Sequence, residues 1–208
     1  MIDMPDMLGN TPLHIAIERG HLDCCRYLLD KGADTRLLNH RRHGAIHQCV
    51  LSKKPDMLDA LLGHESQPDI HLGGENGSTA LHYCAYDDNV ECARVLVKHG
   101  AKICMQCNNG FFAMHVAAHQ CSNRVLELLI DHQIGECSLT DKTLNALSFV
   151  DGDNNKPLHA AVQFGNLGAV RLCLEKGASI NEVIEIDKST PVHMACAQGL
   201  LRIYVLVD

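Results

Sequence analysis

The side chains best suited to chemistry in this sequence are its 14 histidines and 11 cysteines. Cys104-Met-Gln-Cys107 has the spacing of half a zinc knuckle. A closed zinc site would need two more ligands, for which His99 and His115 are near in sequence. His115 and His119 are four residues apart, as are His43 and His47, a separation that brings two imidazoles to one helix face. No second Cys-x-x-Cys exists, however, and neither histidine pair carries the HExxH glutamate. Neither set therefore completes a metal site. Cys25 precedes Arg26, Cys92 lies two before Arg94 and Cys104 two after Lys102. Basic neighbours favour thiolate, so Cys25, Cys92, Cys104 and its companion Cys107 are weak candidates for a sensor thiol. The competing reading makes them small apolar filler. A Gly-rich phosphate loop, a GxSxG elbow and a kinase signature are all absent. The residues thus suggest no catalytic centre, no cofactor and no metal.

Recurrence gives the histidines another meaning. Taking His14 as a marker, the same setting returns at His47, His82, His115, His159 and His193, at intervals of 33, 35, 33, 44 and 34 residues. Internal periods of this size mark a solenoid. An apolar residue precedes each marker (Leu13, Ile46, Leu81, Met114, Leu158, Val192), and a small one stands two places after it (Ala16, Cys49, Cys84, Ala117, Ala161, Ala195). Six copies of a catalytic histidine along one array would serve no reaction. The rings read as structural groups that bond between the loops of adjacent units.

Each unit must then be two short helices. Thr11 can cap the first and Pro12 occupy its first position, a pairing repeated at Thr190–Pro191. A turn follows at Arg19-Gly20-His21. Leu22, Cys25, Leu28 and Leu29 form one stripe of the second helix, and Val90, Ala93, Leu96 and Val97 repeat it. Gly32, Gly100 and Gly177, eighteen residues after their markers, are expected to end the second helix in the left-handed conformation; Glu65 and Gln133 stand there in two other units. A polar hairpin would join each unit to the next.

Composition fits thin stacked layers. Hydrophobic residues are 46% and charged ones 21%, enough to build a core, while aromatics are only 4% and Trp is absent. A net charge of −7 argues against a nucleic-acid partner. The start, MIDMPDMLGN, lacks the basic and apolar regions of a signal peptide, and no run approaches 18 apolar residues. With no signal and an odd cysteine count, free thiols in a reducing compartment are expected.

"NTPLHIA" at 10–16, "STALHYCA" at 78–85, "KPLHAAV" at 156–162 and "STPVHMA" at 189–195 are similar to the ankyrin repeat. The resemblance implies an all-α solenoid of about six stacked helix-turn-helix repeats joined by hairpins, covering 1–208 as one array. The repeats run over about 9–39, 40–73, 74–107, 108–140, 153–184 and 186–208. An insertion around 133–152 accounts for the long fourth interval and is expected to form an extended hairpin or a short extra helix. The last repeat stops short of its glycine and neither end carries a polar cap, so the chain reads as a piece of a longer array. The stretches 68–118 and 153–183, with "GENG" at 74–77, "KGASI" at 176–180 and the insertion before the second, resemble the cytosolic array of ankyrin-subfamily transient receptor potential channels. "HGAIHQCV" in unit two and "GFFAMHVAA" in unit four depart from the repeat pattern.

That second resemblance implies a homotetrameric, calcium-permeable, non-selective cation channel of the plasma membrane that senses irritants, electrophiles or temperature. Its pore would follow C-terminal to this segment. The present chain would be a regulatory scaffold on the cytoplasmic side, binding protein partners on its concave face or hairpin tips. The best-known electrophile-reactive cysteines of such channels lie outside the repeat array, so none is assigned here. The alternatives are a cytoplasmic adaptor, or the targeting array of a kinase, phosphatase subunit or palmitoyltransferase.

Overall fold

The computed structural model describes residues 2–66, 68–132 and 146–200. Among these residues the chain is helical, with one isolated bridge between Gln106 and Phe112. The helices come in pairs: α1 (Pro12–Arg19) with α2 (Leu22–Asp30), α3 (Ala45–Leu51) with α4 (Pro55–Leu62), and α5 (Ala80–Tyr86) with α6 (Val90–Lys98). Next come α7 (Ala113–His119) with α8 (Asn123–Asp131), α9 (Pro157–Gln163) with α10 (Leu167–Glu175), and α11 (Pro191–Ala197). The longest of them has nine residues. Helices this short are marginal in water, so their stability comes from burying one face against neighbours.

Contacts divide the chain into two compact units, one on residues 2–84 and 89–102, the other on 85–88 and the described residues from 103 onward. In the first, α1 packs on α2 and α3, and α4 packs on α2, α3 and α6. In the second, α9 packs on α7, α10 and α11, and α8 packs on α7 and α10. First helices thus meet first helices, and second helices meet second helices. Leu58, Leu61 and Leu96 fill the core of the first unit, and Leu126, Leu129 and Leu158 that of the second. The small residues two places after the markers, such as Cys49, Ala117 and Ala161, are wholly buried. A longer side chain there would hold neighbouring helices apart.

Two backbone positions adopt the left-handed conformation in every repeat. Six residues after the marker, in the turn between paired helices, φ is positive at Gly20, Lys53, Asp88, Cys121, Gly165 and Gly199. Five residues before it, in the hairpin, φ is positive at Gly9, Arg42, Gly77, Gly110, Asn154 and Lys188. Glycine fills each series only half the time. The others hold a conformation that disfavours L residues by about 1–2 kcal/mol, so the repeat frame imposes it.

Gly32, Gly100 and Gly177 also have positive φ, at 82°, 84° and 94°. The Gly32 N–H reaches the Leu29 carbonyl at 2.9 Å and the Ala33 N–H that of Leu28 at 3.0 Å, and the other two glycines repeat this closure. No atom lies within 4 Å of a Cβ built at any of the three, so dihedral preference alone selects glycine there. Most of the insertion, residues 133–145, and residues 201–208 of the last repeat lie outside the described residues. The described part of the insertion begins with a short 310 turn at Ala146–Ser148 against α8 and α9. Phe149 then stacks on Phe112 with centroids 5.0 Å apart.

Candidate functional site

Five of the six repeat histidines are clamped through Nδ1 at the start of the first helix; Nδ1 of His115 has no such bond. The Thr11 N–H donates to Nδ1 of His14 at 3.2 Å, and Thr11 Oγ1 lies 2.8 Å from the same nitrogen. On the other edge Nε2 meets the His43 carbonyl at 3.0 Å. A nitrogen that accepts a backbone N–H carries no proton, so this ring is the neutral Nε2–H tautomer and donates to His43. The Nδ1 bond recurs at His47 from Gly44, His82 from Thr79, His159 from Lys156 and His193 from Thr190. The Nε2 bond to a following hairpin recurs from His115 to the Asn155 carbonyl (2.9 Å) and from His159 to that of Glu182 (3.2 Å). Burial lowers the pKa of His14 and His159, and takes that of His47 down to about 4. His193 makes the same Nδ1 contacts but is exposed. His14, His115 and His159 thus join a first helix to the following hairpin. At His14 and His159 both ring nitrogens are occupied, leaving nothing for a metal or a substrate.

One capping detail differs from expectation. Thr11 holds the N-cap, but its hydroxyl faces the His14 ring and makes no bond to the helix amides. At Thr190 the hydroxyl does accept the His193 N–H, at 3.4 Å. The histidine, three residues on, takes the role a Glu or Gln plays in a capping box. His115 and His119 do not converge on a ligand: His119 meets the Phe164 ring edge-on at 3.9 Å.

The thiols separate by burial. Cys25 is in the core while Cys24, beside it, is exposed. Loss of water pushes the Cys25 thiol up to about 11, against a smaller opposing pull from Arg26. Cys92 is likewise buried and raised by burial. The basic neighbours in sequence therefore do not make thiolates of Cys25 and Cys92: desolvation outweighs the Arg26 charge at Cys25 and the Asn89 hydrogen bond at Cys92. Cys104 is disulfide-bonded, so the expectation of free thiols throughout does not hold in this structure. Cys107 is a half-buried free thiol. It closes its hairpin through Cys107 N–H to Phe111 carbonyl and Gly110 N–H to Cys107 carbonyl, both 2.9 Å. Asp6, Asn39 and Asp151 do the same in their hairpins and add a side-chain oxygen that accepts two further amides. Cys107 thus occupies a turn position. No three metal-donor side chains cluster among the described residues.

Sequence reading missed a second polar clamp. Asn166 caps α10 by accepting the Ala169 N–H (3.0 Å) and donates to the carbonyl of Ala118 (2.9 Å) on the neighbouring first helix. Asn89 does the same for α6, with Cys92 and the Val50 carbonyl. The signal was an asparagine seven residues after the marker, present in two repeats only.

What remains accessible is surface. Met7 is 95% exposed at the first hairpin and Ile186 73% exposed at the last described one. On the first helix pair, Pro12, Ile15, Cys24, Tyr27 and Leu28 line a shallow apolar groove. The equivalents of Pro12, Cys24 and Leu28 in the next repeat, Ala45, Met57 and Leu61, are buried. The groove is thus the face with which a later pair meets its predecessor. Among the described residues no helix is long and apolar enough to cross a membrane.

Comparison with known proteins gives the same repeat. "Ankyrin repeats (3 copies)" matches residues 46–143, "Ankyrin repeat" residues 8–40 and "Ankyrin repeats (many copies)" residues 158–203. Human Transient receptor potential cation channel subfamily A member 1 is 34% identical over 178 residues, which is 86% of this chain and 16% of that protein. Its Drosophila melanogaster namesake is 43% identical over 143 residues, 67% of this chain and 11% of that protein. The chain therefore spans about a sixth or less of these relatives. The crystal structure of the ankyrin repeat domain of Bcl-3 superposes with a TM-score of 0.80 at 26% identity, covering 96% of this chain and 86% of that one.

Proposed function

The chain belongs to the ankyrin-repeat family, and from that premise we propose that it is the cytosolic scaffold of a cation channel of the ankyrin transient receptor potential subfamily. The observation that carries this reading is the identity to the human and fly channels, 34% and 43% over most of the chain. On this reading the whole protein is a calcium-permeable homotetramer of the plasma membrane. The repeats lie on its cytoplasmic side, contribute no catalysis, and hold protein partners. The exposed Met7 and Ile186 on the hairpins favour partners with apolar contact residues over polyanions. The net charge of −7 points the same way.

The test is the parent protein itself. Its transcript, read downstream of this segment, should encode about six apolar segments of roughly 20 residues each. Expression in a cell without such channels should give a calcium-carrying, cation-selective current, and the detergent-solubilised protein should cross-link as a tetramer. A transcript that ends in a polar tail or a catalytic domain, with no current, would replace the channel with an adaptor or an enzyme's targeting array.

A further inference from the structure

Imidazole and phenol rings converge in the N-terminal unit where the second hairpin meets the third. His47 is fully buried, and its Nδ1 accepts the Gly44 N–H at 3.1 Å. Its Nε2 has no hydrogen-bond partner. The carbonyls of Leu72 and Ser78 are close enough to favour charge on the ring, but neither has bonding geometry. The rings of His43 and Tyr83 lie against it, with centroids at 6.4 and 5.1 Å, and meet each other edge to face at 5.3 Å. His14 enters from α1 through its bond to the His43 carbonyl, and the Tyr83 hydroxyl accepts the Glu75 N–H at 3.1 Å. The titratable and charged groups facing this cluster are Asp6 and His14 from the first repeat, Arg41 and His43 from the second hairpin, Glu75 from the third, and Tyr83 from α5.

We propose that this cluster is an acid-operated latch, which holds the second and third hairpins together while His43 and His47 are neutral and releases them when both take up protons. A proton on Nδ1 of His47 would face the Gly44 N–H and abolish that bond. A second proton on His43 would set two cations 6.4 Å apart, beside Arg41, in a site sheltered from water. Opening hydrates both rings and removes the conflict. Burial and His43 hold the closed His47 at about 4, whereas an open, solvated histidine titrates near 6.5. The open form therefore binds more protons below pH 6.5, and opening becomes easier as pH falls until the closed form also protonates near 4. For His47 alone, the ratio of open to closed rises about 30-fold between pH 7.5 and pH 5.

Hydrogen exchange on the whole chain from pH 7.5 to 5, expressed as protection factors corrected for intrinsic rate, tests the latch. Amides in 39–47 and 74–83 should lose about 30-fold in protection by pH 5. Those around His159, whose Nε2 is bonded, should lose less. His43→Phe keeps a ring on Tyr83 and keeps the backbone carbonyl that His14 uses, and it should move the loss to lower pH. Imidazole NMR on the unaltered chain should show His47 titrating well below 6.5. Protection that stays flat to pH 5, a His43→Phe profile identical to the parent, or a His47 that titrates at 6.5 would each overturn the proposal.

Discussion

His47 and His159 hold the same place in their repeats and differ in one bond. Both rings are wholly buried, and both accept an amide on Nδ1 from the residue three places before. His159 donates its Nε2–H to the carbonyl of Glu182, whose own side chain pairs with Lys156 at 2.9 Å. His47 has no such acceptor and packs against His43 and Tyr83 instead. Helices and turns are thus set by the repeat, while the saturation of its polar groups is set hairpin by hairpin. A buried nitrogen left unbonded costs about 1–3 kcal/mol, so equivalent positions are not energetically equal even where the backbone is.

The frame itself offers the largest test of that contrast. Leu96 in the N-terminal unit and Leu129 in the C-terminal unit stand fourteen residues after their markers and are both fully buried. Truncation of either to alanine is expected to cost about 3 kcal/mol, from lost burial and the cavity left behind. Urea unfolding curves of the two variants should show losses that agree within about 1 kcal/mol. A clear inequality would mean that the frame is not shared, and the contrast drawn at His47 would lose its baseline.

The asparagine clamps give a smaller, sharper comparison. Asn166 is almost fully buried and Asn89 half-buried, and each caps a helix while bonding a carbonyl of a neighbouring first helix. Asn166→Ala removes a cap and strands a buried carbonyl, for a loss of about 2 kcal/mol; Asn89→Ala should lose about 1 kcal/mol, since water can reach the site. Asn166→Asp keeps the oxygen that accepts the Ala169 N–H and removes the donor to Ala118. Thermal melts that rank Asp with the parent would show that the cap matters and the cross-helix bond does not.

The features legible in the sequence were those written in side-chain type at fixed spacing. His14 and its five counterparts gave the period, and Cys25 and Leu29 gave the buried stripe of α2. Gly32, Gly100 and Gly177 gave the helix ends. What stayed hidden was written in backbone conformation or in three-dimensional partners. Nothing in Lys53 or Cys121 announces positive φ, yet both have it, in the same turn that Gly20, Gly165 and Gly199 occupy in other repeats. The thiols misled for a related reason. Arg26 is next to Cys25 in sequence, but the pKa of Cys25 follows the apolar side chains around it. Cys104 and Cys107 imitate a zinc knuckle only until Cys107 is recognised as a hairpin residue equivalent to Asp6 and Asn39.

The left-handed turns supply the smallest expected effect, and one whose sign depends on which residue already occupies the site. Gly20 in the N-terminal unit and Cys121 in the C-terminal unit hold the same turn, with φ of 79° and 58°. A Cβ on Gly20 would meet only the flexible end of Lys54, at 3.3 Å, so Gly20→Ala should be disfavoured by its dihedral rather than by a clash, at about 1 kcal/mol. At Cys121 the strain is already present and the side chain is exposed. Cys121→Gly should therefore stabilise, by a few tenths of a kcal/mol to about 1 kcal/mol, because relief of the left-handed strain exceeds the added freedom of glycine in the unfolded chain. Opposite shifts in melting temperature for the two variants would support a turn imposed by the frame in both units. A destabilised Cys121→Gly would show that the cysteine makes contacts in the folded state that offset its strain, and that the two turns are alike in backbone only.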